Sequence, residues 1–353
     1  MADACAAVPS PADSFESTSS RALKTLSGLA PTLGASLATT LEVARQRRSG
    51  ALKPISTPWP GLNSDMNGGL WPGLTVLVGS TGVGKSAFAL QQSLCAAKAG
   101  TPVLYVALEL DRGQIVTRLA SMLAHDAGEG FEWGAALYGT SHAALSGFER
   151  FAPRLDALPV HILEQDARAF DVSELRNIVS NLREAYHVGK NASVLVVLDY
   201  LQLIGPGPEG LELRERMSAA SMQCRDLARK LNATVLMLSS TSREGATRLA
   251  SAKDSGFVNL DAGEFVGTGK ESGDIEYSAD NVLVLCPEAF TLNGETRLQL
   301  GIAKQRAGSR NWLRLLFNGA RLREEESLPV SANQRINTAQ KKEVPGAYDR
   351  DVA

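Results

Sequence analysis

The run Gly79-Ser80-Thr81-Gly82-Val83-Gly84-Lys85-Ser86 has the spacing G-x-x-x-x-G-K-[ST]. Residue types in that order can hold a polyphosphate. The glycines free the backbone to curl its N–H groups around phosphate oxygens. Lys85 is placed to reach the β- and γ-phosphates, and the Ser86 hydroxyl to ligate Mg²⁺. A helix that starts here adds the positive end of its dipole. An apolar run at 75–79 precedes the motif, and a helical pattern over about 85–99, closed by Gly100, follows it. That is the strand–turn–helix setting the chemistry requires.

Two carboxylates stand at the ends of apolar runs. Asp199 follows the continuous apolar run 194–198, which reads as a strand buried on both faces. A carboxylate at the C-terminal edge of such a strand faces the ligand crevice of an open α/β sheet, where an acidic partner for Mg²⁺ belongs. Glu109 follows the run 103–108, the strand after the P-loop helix. At the same edge it can polarise an attacking water, although the residues alone also allow an ordinary surface acid.

The elements that must position these groups alternate. Further strands are expected at 160–163, 235–238, 282–285, 297–303, 312–317 and 320–323, with Asn318-Gly319 as a tight hairpin turn. Asp111 with Gln114 and Asp171 with Glu174 have capping-box spacing for two helices. Leu213, Met217, Ala220, Cys224, Leu227 and Leu231 step by three and four residues, as one face of a long helix. A short helix is expected over 36–48, with Arg45, Arg47 and Arg48 in its last turn. Residues 241–274 contain Gly and Ser without clear periodicity and read as a mobile loop. The pattern predicts an α/β fold: a mainly parallel central sheet flanked by helices, with an antiparallel C-terminal extension.

Composition narrows the class. Of 353 residues, 36 are Lys or Arg and 38 are Asp or Glu, so nothing supports a strongly basic nucleic-acid binder. Four cysteines lack metal-ligand spacing and form no disulfide framework; Cys95, Cys224 and Cys286 sit in apolar patterns and are expected to be buried thiols. No signal-peptide pattern and no membrane-span-length apolar stretch occur, so a cytoplasmic location is expected, without a membrane partner.

Beyond these residues the chain resembles the motor domain of the DnaB-family replicative helicases, a RecA-type P-loop ATPase. The matching segments are Val106-Ala107-Leu108-Glu109-Leu110 followed by Gln114 and Arg118-Leu119; Leu198-Asp199-Tyr200-Leu201-Gln202-Leu203; Asp226 to Asn232 leading to Leu238-Ser239; Ser272-Gly273-Asp274-Ile275-Glu276 with Ala279-Asp280; and Ala303-Lys304-Gln305-Arg306. The resemblance covers about 55–325. It implies that Glu109 is the catalytic glutamate and Asp199 the Walker B aspartate, with Gln202 counted among the ATP-binding residues. It implies that Lys304 and Arg306 are basic finger residues reaching the γ-phosphate held by the next subunit. It also implies DNA-contacting loops at about 205–214 and 243–271, whose basic residues are Arg214, Arg243, Arg248, Lys253 and Lys270. Acidic residues are interleaved with them, so ordinary solvated linkers remain the other reading of these loops.

Ala-, Ser-, Thr- and Pro-rich composition marks 1–35 as a flexible segment, and polar, unpatterned composition marks 326–353 as a flexible tail. Between them the resemblance implies a linker helix 36–53 that docks on the adjacent subunit and a RecA-like motor domain 54–325. Two departures stand out: the residues before the linker are too few for the family's helical collar domain, and Ser240 occupies the place of a glutamine that senses the γ-phosphate. The implied activity is that of an ATP-dependent DNA helicase or translocase, a homo-hexamer or other ring acting on single-stranded DNA with ATP and Mg²⁺. A RadA-like recombination ATPase that does not unwind, or a KaiC-like nucleotide-gated assembly or signalling ATPase, would share the motor core.

Overall fold

The structure, a computed structural model, describes residues 25, 30–165, 172–199, 213–242, 244–245, 247–249, 251, 261–268, 278–290, 294–306 and 308–325. The chain divides into two units, 1–53 and 54–353. In the first, helix α1 spans Leu33–Ser49. Thr32 caps it by accepting from the Ala35 N–H at 3.3 Å, and Gly50, at φ 76°, ends it in the left-handed conformation. It therefore starts inside the segment expected to be flexible, because Thr32 is an N-cap that the apolar pattern alone did not reveal. None of its side chains is buried.

The second unit is built on one sheet. Its strands are β1 (Gly73–Gly79), β2 (Val103–Ala107), β3 (Val160–Glu164), β4 (Leu195–Asp199), β5 (Thr234–Ser240), β6 (Asn281–Phe290), β7 (Thr296–Gln305), β8 (Trp312–Phe317) and β9 (Leu322–Glu324). They lie in the order β3-β2-β4-β5-β1-β6-β7-β8-β9. Neighbours from β3 to β6 pair in parallel, and β7, β8 and β9 add on antiparallel. The helices are α2 (Pro60–Asp65), α3 (Lys85–Lys98), α4 (Arg112–Asp126), α5 (Trp133–Leu137), α6 (His142–Phe151), α7 (Leu175–Ala185) and α8 (Leu213–Lys230).

Alternation along the strands divides the core into two layers. Leu77, Tyr105, Val197 and Leu236 face one way and pack with Phe88 and Leu90 of α3 and Ile115 of α4. Trp59 extends this layer, its ring stacked on Phe88 at 4.1 Å between centroids. On the other face Val76, Val106, Val196 and Met237 meet Val179 of α7 and Met217, Cys224 and Leu227 of α8. The three- and four-residue stripe of α8 is thus a core face. Hydrophobic burial of this kind contributes roughly 25 cal/mol per Å² of apolar surface, which is what holds the strand ends, and so the site, in place.

Two expectations change and a third is met in part. Cys95 is only partly buried, because its turn of α3 borders an open groove beside Pro58 and Pro60; its thiol donates to the Ser56 carbonyl at 3.6 Å. Within 241–274 the described residues include a 3₁₀ turn at Ala262–Phe265, and Phe265 packs edge-on against Trp312. The segment thus contributes a hydrophobic anchor that the missing periodicity concealed. Of the two capping boxes, Asp111 accepts from the Gln114 N–H at 2.8 Å, whereas Asp171 lies outside the described residues. Among the described residues no helix is long and apolar enough to cross a membrane.

Candidate functional site

Strand β1 delivers the chain to the P-loop, and α3 leaves it. Gly82 and Gly84 stand at φ 78° and 107°, a region that side chains resist. A Cβ at Gly79 would come within 2.8 Å of Val83 and 2.9 Å of the Leu285 carbonyl oxygen, so that position admits only glycine without a shift. Lys85 Nζ donates to the carbonyls of Gly79 and Ser80 at 2.9 and 3.0 Å. Burial lowers the Lys85 pKa, and the carboxylates of Asp199 and Glu109 oppose that shift.

Both carboxylates arrive at the same edge. Asp199 ends β4, opposite Ala107 at the end of β2, and Glu109 follows two residues beyond Ala107. Asp199 is 1% exposed. Burial raises its pKa, while the hydrogen bond from Tyr105, the neighbouring Ser86 hydroxyl and the charges of Lys85 and Arg118 pull it down. Glu109 is exposed, yet desolvation and the nearby Asp199 raise its pKa, with Lys85 and Arg118 opposing. Raised basicity of this kind suits a group that takes a proton.

These residues line a cleft of about 380 Å³ with Ser240, Phe317 and Trp133. The Arg118 guanidinium lies 4.1 Å from the centre of the Trp133 ring, and its Nε is buried without a hydrogen-bond partner among the described residues. Ser240, at the end of β5, pairs with Gly79 and so stands beside the phosphate loop. Tyr105, Trp133 and Phe317 went unrecognised in the sequence. Only Tyr105 carried a signal: a phenol two residues before the end of a buried strand.

The remaining basic candidates lie elsewhere. Strand β7 runs antiparallel to β6, so its end returns to the edge where β1 begins: Gln305 pairs with Asn281, and Asn281 with Thr75. There Arg306 Nε meets Asp280 Oδ1 at 3.3 Å, and Asp280 Oδ2 accepts from the Leu74 N–H at 3.0 Å. From Leu74 to Gly79 is five residues of strand, about 16 Å at the usual rise. Lys304, on the same strand end, is partly buried. The structure therefore gathers Gly79 to Ser86, Glu109 and Asp199 at one edge, and Lys304 and Arg306 at the other.

Arg248 is described and exposed. Gln202, Arg243, Lys253 and Lys270 lie outside the described residues, as does the side chain of Arg214.

Residues 55–325 match the family described as the DnaB-like helicase C-terminal domain. A replicative DNA helicase DnaB of Leifsonia xyli is 27% identical over 303 residues, 81% of this chain and 59% of the relative. A probable plasmid replicative DNA helicase of Chlamydia psittaci is 28% identical over 246 residues, 69% of this chain and 49% of the relative. The chain thus spans about half to three fifths of the length of these relatives. Among solved structures, a DnaB-like replicative helicase, described with its interactions with primase, superposes with a TM-score of 0.65 at 19% identity. That match covers 86% of this chain and 71% of the other. A KaiC-like protein of Pyrococcus horikoshii gives 0.51 at 18% identity, over 78% of this chain and all of the other. At such identities the superpositions speak for the fold.

Proposed function

Since the chain belongs to the DnaB-like helicase C-terminal domain family, we propose that it is an ATP-dependent DNA helicase or translocase motor. It hydrolyses ATP between the subunits of a homo-oligomeric ring, a hexamer in the simplest case, and acts on single-stranded DNA. The observation that carries this reading is the separation of the machinery. The phosphate loop and both carboxylates occupy one edge of the sheet, while Arg306 is tied to Asp280 at the opposite edge. An arginine so placed serves a nucleotide held by another subunit.

On this reading the P-loop amides and Lys85 hold the ATP phosphates, and Glu109 orients and deprotonates the attacking water. Lys304 and Arg306 reach the neighbour's γ-phosphate, where a cation lowers the energy of the charged transition state. Arg118 adds a cation within the cleft itself. The donor set also fits Mg²⁺: Ser86 and Asp199 offer hard oxygens beside the phosphate cradle, and Mg²⁺ is usually held by one or two such groups plus phosphate and water. When bound, Mg²⁺ would neutralise charge on the β- and γ-phosphates. Helix α1, whose Leu33, Leu37 and Leu41 are exposed, is the linker that docks on an adjacent subunit. Arg214, Arg243, Arg248 and Lys253 are the basic residues for the DNA backbone.

The test is strand displacement on a forked DNA, with and without ATP, beside ATPase turnover with and without single-stranded DNA. ATP-dependent displacement and stimulated turnover are expected. Turnover indifferent to DNA would refute the reading. DNA-stimulated turnover without displacement would point to a RadA-like activity, and ATP-dependent assembly without DNA binding to a KaiC-like one.

A further inference from the structure

Tyr105 is the middle residue of β2 and is completely buried. Its strand neighbours on the same face, Val103 and Ala107, are apolar, and the layer it enters is the apolar one beneath α3. Burying a hydroxyl there costs free energy unless a partner is supplied. The partner is Asp199: Tyr105 Oη donates to Asp199 Oδ2 at 2.6 Å. The register explains the reach. Asp199 lies opposite Ala107 on the adjacent parallel strand, so Tyr105 is its diagonal neighbour on one face of the sheet.

A carboxylate ending a strand has a soft terminal torsion, and its plane can rotate through a broad range. Asp199 has one oxygen held by Tyr105, which fixes the carboxylate plane, and Ser86 lines the same cleft beside it. We propose that Tyr105 is a positioning residue for Asp199. Its hydroxyl occupies Oδ2, holds the carboxylate plane and presents the other oxygen toward Ser86 and the nucleotide-bound divalent cation. This rests on the reading of Asp199 as the cation's partner. Tyr105 touches neither nucleotide nor cation; it acts only through Asp199. Nothing in the strand pattern requires a phenol here, since an aliphatic side chain would fill the same layer. The hydroxyl therefore bears on Asp199 rather than on packing.

The experiment measures equilibrium binding of a fluorescently labelled, non-hydrolysable ATP analogue to the full chain, once with Mg²⁺ and once with EDTA. It uses the wild type, Tyr105→Phe, Asp199→Asn and the double variant, each checked for folding by circular dichroism. Tyr105→Phe keeps the ring and removes only the hydroxyl. Its affinity in EDTA should match the wild type, while the gain on adding Mg²⁺ should fall about tenfold, the scale of one hydrogen bond to a charged group. Asp199→Asn should abolish most of that gain, and adding Tyr105→Phe to it should then change nothing further. Tyr105→Phe with the full Mg²⁺ gain, beside Asp199→Asn without it, overturns the role of Tyr105 and leaves that of Asp199 standing. Equal losses in Mg²⁺ and EDTA overturn it too, since they mark a packing role. A full gain in Asp199→Asn overturns the underlying reading instead. Should Tyr105→Phe alone fail to fold, the double variant against Asp199→Asn decides: a further loss of Mg²⁺ gain there refutes action through Asp199.

Discussion

Arg306 and Lys85 can be separated into different subunits, and the outcome depends on a distance in the sheet. Arg306 is anchored through Asp280 beside Leu74, and the P-loop begins at Gly79, about 16 Å further along β1. No side-chain rotation closes that gap, so a ring subunit cannot use its own Arg306 on its own ATP. Arg306→Ala should bind ATP normally and lose roughly 10³-fold in turnover, the lower end of what an arginine finger contributes. Lys85→Ala should be inactive because it fails to hold nucleotide. When the two proteins are mixed in equal amounts, an interface works only if its P-loop comes from the first and its finger from the second. Random assembly makes about a quarter of the interfaces competent in a head-to-tail ring. ATPase activity should therefore rise from near zero toward about a quarter of the wild-type rate if interfaces fire independently. The assay is steady-state phosphate release, with native mass spectrometry to verify mixed rings. Mixed rings that stay inactive would count against the finger acting in trans, and a fully active monomer would refute it outright.

Three further outcomes are expected. Lys85→Ala should show no measurable binding of labelled ATP by equilibrium titration while melting as the wild type does. Glu109→Gln should bind ATP with unchanged affinity and hydrolyse it roughly 10²-fold or more slowly, because the swap removes the base and little else; single-turnover kinetics separate the two effects. Burial pushes the Cys224 thiol from 9.0 up to about 12. Its stabilising effect is complete below about pH 9 and is lost as pH rises toward 12, where the unfolded chain ionises first. Over that window the wild type should lose up to about 4 kcal/mol that Cys224→Ala does not, read from urea midpoints.

The sequence made the parallel core legible because its signals are local. Continuous apolar runs mark β1, β2 and β4, a spaced glycine motif marks the phosphate loop, and an apolar stripe marks α8. Each site residue at the ATP edge follows one of these strands directly, so locating the strand located the residue. What escaped notice depends on non-local contacts. Tyr105 stood out only as a phenol in a buried strand; its partner lies 94 positions away. Trp133 and Phe317 reach the cleft from a short helix after α4 and from the end of β8, and no spacing in the chain announces that convergence. Phe265 anchors a segment without periodicity, and only its partner Trp312 reveals it. Cys95 shows the opposite failure: its apolar neighbours hid a groove that leaves the thiol partly accessible.

The antiparallel extension determines which edge of the sheet each of its residues reaches. A parallel strand runs toward the P-loop edge, as β6 does where Leu285 pairs with Gly79. Because β7 turns back, its last residues emerge at the opposite edge, and a cation that would have faced its own nucleotide instead faces away. Strand β8 turns again and brings Phe317 to the P-loop, within about 4 Å of a Cβ placed on Gly84. Asn318 then closes the hairpin, its side chain accepting from the N–H groups of Ala320 and Arg321, and Ala320 lines the same cleft. Successive reversals thus deliver an aromatic wall to the P-loop cleft and carry Arg306 to the opposite edge, where the proposed ring would offer it to a neighbour's nucleotide. An insertion that shifted β7 by one residue would turn Lys304 and Arg306 together to the other face of the sheet while leaving the P-loop intact. Such a variant should bind ATP and assemble, yet hydrolyse as slowly as Arg306→Ala. Wild-type turnover from it would show that the strand end tolerates either register and that the finger is not set by the pleat.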